Sequence, residues 1–340
     1  MKGWRASHSE IASVYLAQVP ENDIGREICH HANVPIFSSI AEALTMGGNG
    51  LAVDAVLLIG EHGDYPMNEF QQKLYPRKEM FDEIAAVFRR CGRSVPVFND
   101  KHLSWSFDES AAMLATAKDL GFPLYGGSSI PHCKLDPGNP VAQQESITEA
   151  VALYGGHEEF YGFHIIELAQ SLLEKRAAGE SGIARLRALK GGDVLQAIES
   201  GEISIDLISE ALSRIGFPSS PNVVPFVLKR TEELLAYQVE HSDGLVVTYL
   251  RMQKWVGEWV VAVRTNDGAI KSCGVDAGGA FDFFGNFAWL NARVDEFFES
   301  GQAPTPIMRT HLSAGVLEDL LHALKEGPAW RETPRLQISY

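Results

Sequence analysis

Between residues 11 and 129, short apolar runs alternate with amphipathic runs, joined by short connections. "IASVYLAQV" (11–19) reads as a strand, and "ENDIGREICHHA" as a helix through the spacing of Ile24 and Ile28. "VPIFSS" reads as a strand and "IAEALTMGG" as a helix stopped by glycines. "LAVDAVLLIG" (51–60) shows almost no polar alternation, the pattern of a strand buried on both faces of a parallel sheet. "KEMFDEIAAVFRRCG", "SVPVF", "FDESAAMLATAKDLG" and "FPLYGGSS" continue as helix, strand, helix and strand. This order constrains the segment to right-handed βαβ units and hence to a doubly wound parallel sheet.

Ligands of such sheets bind beyond the carboxyl ends of the strands. Three polar clusters fall there, and on this reading they line one rim: Glu61-His62-Gly63-Asp64 after Gly60, Asn99-Asp100-Lys101-His102, and Gly126-Gly127-Ser128-Ser129. A lysine beside an acid positions an oxygen or relays a proton, which makes Lys101 the first candidate. Glu61, His62 and Asp64 offer two carboxylates and an imidazole. They serve either as substrate ligands, as a divalent-metal set with His102 or His164, or as a polar loop capping the next helix. The loop 64–77, with Tyr65, Tyr75 and Arg77, reads as a lid, and Tyr75-Pro76-Arg77 as a docking surface. Gly126 and Gly127 allow close backbone approach beside the hydroxyl of Ser128, or simply make a tight turn.

After Pro131 the pattern changes. "CKLDPGNPVAQQ" reads as a hinge, which divides the chain into 1–132 and 133–340. "FYGFHIIELAQSLLEKRAAG" is helical from about Gly162, with Phe163, Ile166 and Leu168 for burial. Residues 184–194 carry a strand, and "VLQAIESG" and "DLISEALSRIG" read as helices. Two hairpins turn at Ser242-Asp243-Gly244 and Asn266-Asp267-Gly268. "FFGNFAWLNARVDEFFESG" and "HLSAGVLEDLLHALKEG" close the chain as amphipathic helices. The second half is thus α+β, with a mostly antiparallel sheet. Trp255 and Trp259 sit in the hairpin region and read as sheet packing or a subunit surface rather than a sugar platform. His30 and His31 read as solvated. The glycines of "DAGGA" (276–280) do not follow a strand of the parallel sheet and make no phosphate loop.

A length of 340 residues exceeds what one core usually serves, in agreement with two domains. A net charge of -15 repels phosphate backbones and anionic membranes, so a small molecule is the expected partner. The four cysteines are scattered without a CxxC pair, which suits a reducing compartment. Neither a signal-peptide core nor an apolar run of membrane-spanning length occurs, and the expectation is a cytoplasmic protein.

The order of elements and motifs resembles the Gfo/Idh/MocA oxidoreductase family. Asp100-Lys101-His102 stands where that family carries Glu-Lys-Pro at a strand end. "FYGFHIIEL" places His164 and Glu167 in register with its Asp-x-x-x-His landmark, with Phe160 in the aspartate's place and Glu158 and Glu159 beside it. "APTPIMRTHLSAGVLEDLLHAL" resembles its closing helix. The resemblance implies a Rossmann domain followed by an α+β domain with an open, mostly antiparallel sheet. It also implies NAD or NADP as hydride acceptor, Lys101 on the cofactor or a substrate hydroxyl, and a homo-oligomer. Besides Phe160, one departure matters. No GxGxxG precedes Ile11, and the first strand resembles the family's second. Either the chain is truncated at its start, or it does not hold a dinucleotide in the usual way.

The function expected on this basis is oxidation of a sugar, polyol or related hydroxylated molecule. Lys101 and His164 are the catalytic candidates. Glu61, His62, Asp64, Asn99, Asp100, His102, Ser128 and Glu167 are the substrate-binding candidates, and Gly60, Glu61 and Lys101 the cofactor-binding ones. Two alternatives stay open: a metal-assisted lyase, isomerase or hydrolase on the same scaffold, and a non-catalytic binding protein with a decayed cofactor site.

Overall fold

The computed structural model describes residues 7–257, 259–276 and 285–340, so the glycines at 278 and 279 lie outside the described residues. The chain forms two compact units. One comprises the chain up to Asn68, Gln72–Gly127 and Leu290–Ile307; the other comprises Glu69–Gln71, Ser128–Trp289 and Met308–Tyr340.

In the first unit, β1 (Val14–Tyr15) pairs in parallel with β2 (Ile36–Phe37). A second parallel sheet runs β3 (Val56–Leu58), β4 (Val97–Asp100), β5 (Leu124–Gly127), with Leu58 opposite Asn99 and Asn99 opposite Gly126. Three helices, α2 (Ile40–Thr45), α3 (Arg77–Cys91) and α4 (Phe107–Leu120), pack on it. Their apolar faces supply Leu44, Phe81, Ile84, Phe88 and Met113 to a core with Val56, Leu58, Val97 and Leu124. The opposite face of β4 and β5 presents Phe98 and Tyr125 to Leu290, Val294 and Phe297 of α9 (Gly285–Ser300). Strands β4 and β5 are therefore covered on both sides, as an unalternating apolar pattern requires. The helices α3 and α4 stop at Gly92 and Gly121, both left-handed.

Two expectations need correction. The run 11–19 yields only two strand residues. The run 51–60 yields a three-residue strand that does alternate: Val56 and Leu58 are buried, while Leu57 is 47% and Ile59 57% exposed. That face of β3 is about half open to solvent. Likewise Ile24 and Ile28, flanking and within α1 (Gly25–His31), face solvent, and only Cys29 of that helix is buried.

The second unit is built on an eight-stranded sheet in the order β13-β8-β9-β10-β7-β11-β12-β6. These are β6 (Lys134–Asp136), β7 (Ile147–Tyr154), β8 (Ile183–Lys190), β9 (Glu232–His241), β10 (Val246–Gln253), β11 (Val260–Thr265), β12 (Ile270–Asp276) and β13 (Arg331–Glu332). All neighbours are antiparallel except β7 and β10. The β9–β10 and β11–β12 hairpins are those read from the sequence. A core formed by α6 (Gly192–Glu199), α7 (Ile205–Ser213) and α8 (Val223–Leu228) with strands β7–β11 packs one side. The helix α5 (Phe160–Leu173) packs on β7 and is buried along most of its length, Phe163, Ile166 and Leu168 included. It starts two residues earlier than the sequence suggests. After it α10 (Ile307–Glu326) brings a second mostly buried helix. Among the described residues no helix is long and apolar enough to cross a membrane.

Candidate functional site

The strand ends of the first unit gather a charged cluster. Gly60 and Glu61 follow β3, and Asn99 and Asp100 end β4. Lys101 comes next with φ 58°, a left-handed conformation that costs a non-glycine residue about 1 kcal/mol. Its N–H donates to Gly127 O at 3.1 Å, which fixes the turn. Its ammonium pairs with Glu61 Oε1, and these two side chains are only 13% and 10% exposed. Asp100 is 6% exposed and hydrogen-bonds to Glu61. Burial, then the Glu61 hydrogen bond and charge, push the Asp100 carboxyl up to about 7 against the pull of Lys101 and Arg77. Burial also works to raise Glu61, but the Lys101 charge and the Asp100 hydrogen bond outweigh it and hold that carboxyl low. The two acids thus share one proton beside the lysine, and Asp100 holds it below about pH 7.

Arg77 is the member that the sequence reading missed. Assigned to a lid and a docking surface, Tyr75 and Arg77 are instead 5% and 1% exposed. The Arg77 guanidinium lies 4.6 Å from the centre of the Tyr75 ring, and its Nη1 is 3.3 Å from His102 Nε2. Gly60 makes room for it, since a Cβ there would stand 2.8 Å from Arg77 Cγ. The signal was a lone arginine at the first position of an amphipathic helix, directly after a proline, where a surface residue is the ordinary reading.

Other candidates hold structure rather than gather at this point. Asn99 Nδ2 donates to the carbonyls of Asp100 and His102, which ties the strand end to its turn. The His62 side chain is 89% exposed, 3.7 Å from Glu61 Oε1. Asp64 is exposed, and its backbone is clamped by Gln18, which accepts from Asp64 N–H at 2.7 Å and donates to Asp64 O at 3.1 Å. Glu61, His62 and Asp64 therefore do not converge. Among the described residues, no three His, Cys, Asp or Glu side chains gather closely enough to hold a metal ion.

The second unit assembles a different set. Ser128 is 1% exposed. Its Oγ accepts from Ile130 N–H at 3.0 Å and lies 2.6 Å from His164 Nδ1. Glu167, one turn beyond His164 on α5 and 2% exposed, accepts from Ser128 N–H with one oxygen and from the Thr310 hydroxyl with the other. Burial drives the Glu167 carboxyl up to about 7 against these two donors and Arg309. Arg309 is itself occupied by both oxygens of Glu174, and the Tyr340 hydroxyl donates to Glu174 at 2.9 Å. Phe160, which stands where the resembled family carries an aspartate, stacks on His157 with ring centres 4.5 Å apart. Neighbouring Glu158 pairs with Arg251.

A serine hydroxyl bonds Nδ1 equally well as donor or acceptor. His164 therefore keeps this partner whether neutral or protonated, and its second nitrogen can change protonation state without losing the anchor.

No protein-family model matches the sequence, and no curated protein does either. Solved structures do match. GenD2 from gentamicin A biosynthesis, in complex with NAD, superimposes with a TM-score of 0.57 at 12% identity, over 91% of this chain and 86% of that one. The chain shares the fold of this structure. Myo-inositol 2-dehydrogenase from Lactobacillus plantarum gives 0.54 at 10% identity, over 90% and 87% of the two chains. Aldose-aldose oxidoreductase from Caulobacter crescentus, complexed with glycerol, gives 0.53 at 13% identity, over 96% and 92%. The fold that the sequence resemblance implied, a Rossmann-like parallel sheet followed by a mostly antiparallel one, is the fold observed.

Proposed function

We propose that the protein is an NAD(P)-dependent oxidoreductase acting on a sugar, polyol or related hydroxylated small molecule. The observation that carries this reading is the Ser128–His164 contact backed by buried Glu167, a proton-exchange device built into a fold shared with dehydrogenases of such substrates. His164 takes the proton of the reacting hydroxyl at Nε2 while Ser128 steadies Nδ1. Glu167 holds Ser128 in place through its N–H.

The donor set of the first unit fits the ribose end of a dinucleotide. The Lys101 ammonium donates to hydroxyl oxygens, and the Glu61–Asp100 carboxyl pair accepts from hydroxyls, next to the tight backbone at Gly60. A nicotinamide supplies the hydride acceptor when bound. The pyrophosphate finds less: among the described residues, none of the parallel strands is followed by a GxGxxG turn. The left-handed backbone of Lys101 is a strained residue of the kind that a ligand-binding role accounts for.

The four free cysteines fit a cytoplasmic location, and the open sheet of the second unit suits pairing with another copy of the chain. Sedimentation giving a clean monomer would remove that last part. The cofactor is tested by titrating the purified protein with NADH and NADPH and following cofactor fluorescence. Saturable binding is expected. Absence of binding at about millimolar cofactor would transfer the assignment to a non-catalytic binding protein.

A further inference from the structure

Tyr161 lies in the first turn of α5, three residues before His164, so the two side chains share a helix face. Their ring centres are 6.4 Å apart at 68°. Trp259, just ahead of β11, stacks against Tyr161 with centres 6.1 Å apart at 18°, and meets His164 edge-on at 5.8 Å. The backbone of Gly156 closes the arrangement. Its φ is 91°, and a Cβ there would fall 2.4 Å from Tyr161 Cδ2, so only glycine leaves room for the ring. Tyr161 is nevertheless 44% exposed. A single exposed aromatic is ordinary on a protein surface. This one is held by a glycine built around it and by a second aromatic ring, and it adjoins the histidine of the proton-exchange set. The sequence alone favoured sheet packing or a subunit surface for Trp259 over a sugar platform; in the structure its ring lies against Tyr161 and His164 of α5.

We propose that Tyr161, backed by Trp259, is a platform on which a ring-shaped polyol, a pyranose or a cyclitol, lays its C–H face beside His164. The inference rests on the reading of His164 given above and names the substrate class for it. One face of such rings presents several C–H bonds polarised by neighbouring oxygens, and these meet the negative face of an aromatic ring. A platform already fixed by Gly156 and Trp259 loses little freedom on binding, which favours affinity. An open-chain polyol carries the same hydroxyls but no flat C–H face, and gains little from it.

The test is a titration of the intact protein with myo-inositol, methyl glucopyranoside and sorbitol, following tryptophan fluorescence. The ring compounds are expected to bind about tenfold tighter than sorbitol. In Tyr161→Ala ring affinity falls about tenfold or more, and Tyr161→Phe restores it, which separates stacking from the hydroxyl. Equal binding of rings and sorbitol would overturn the platform, as would wild-type ring affinity in Tyr161→Ala, or no saturable response to either ring compound up to about 0.5 M. A protein that binds rings through Tyr161 but reduces neither NAD+ nor NADP+ would uphold the platform and sink the oxidoreductase reading alone.

Discussion

Ser128 Oγ sits 2.6 Å from Nδ1 of His164, 36 positions further along the chain. Ser128 is placed there by its own amide, which Glu167 accepts, so serine and glutamate together orient one imidazole. Replacing Ser128 with Ala removes the orienting hydroxyl while leaving the amide bond intact. Turnover is expected to fall about tenfold, the effect of one hydrogen bond, with the acidic limb of the pH–rate profile displaced. Measured kcat and its pH profile equal to wild type would show that the contact does not orient His164.

Glu167 makes stability depend on pH with a definite sign. Its ordinary value is 4.5, and burial raises it to about 7 in the folded protein. Below pH 4.5 both folded and unfolded chains hold the proton. Above it the unfolded chain releases the proton first, so this contribution to stability is full at low pH and is lost as pH rises through 7. The loss amounts to about 3 kcal/mol at 1.36 kcal/mol per pKa unit. Urea unfolding of wild type and Glu167→Gln across pH 4.5–8 checks this. The difference between them should grow with pH in favour of the glutamine variant, and a constant difference would contradict it.

The Lys101–Glu61 pair is nearly buried, and a third group, Asp100, shares its proton. Lys101→Ala leaves two acids facing each other without the cation. We expect a loss of about 2 kcal/mol at pH 8, shrinking toward pH 5 as the acids take up protons. Chemical denaturation at the two pH values reads this directly. Equal losses at both would mean that the acids do not share the proton.

Gly155 is a packing prediction independent of chemistry. A Cβ at this position would lie 2.0 Å from Val256 O, a backbone atom that cannot swing aside. Gly155→Ala should destabilise by about 3 kcal/mol or prevent folding. A melting temperature within a degree or two of wild type would contradict the geometry.

Much of the fold was legible because local rules decide it. The βαβ alternation, the glycine stops at Gly92 and Gly121 and both hairpins follow from periodicity and turn chemistry. The course of β3 was not, because an apolar run looks the same whether or not a helix covers its second face; Leu57 and Ile59 turn out to be exposed. Two groupings were legible from strand ends and one helix face: Glu61, Asp100 and Lys101 meet, and so do Ser128, His164 and Glu167. His62 and Asp64 were chosen, like Glu61, for following a predicted strand end, and the turn at His62 and Gly63, both with positive φ, leaves their side chains in solvent. Arg77, Thr310, Tyr161 and Trp259 join their neighbours only through tertiary packing, and no spacing rule brings Trp259 to a helix nearly 100 positions earlier.

The proposed function stands on His164 exchanging the proton of a hydroxyl being oxidised. The most direct measurement is absorbance at about 340 nm with NAD+ or NADP+ and a panel of cyclic and open-chain polyols, for wild type and His164→Ala. Reduction of the cofactor by wild type with at least one polyol is expected, with a fall of about 10²- to 10⁴-fold in kcat/KM for the folded variant. Wild-type rates in His164→Ala, or no reduction with any polyol by a protein that binds the cofactor, would contradict it.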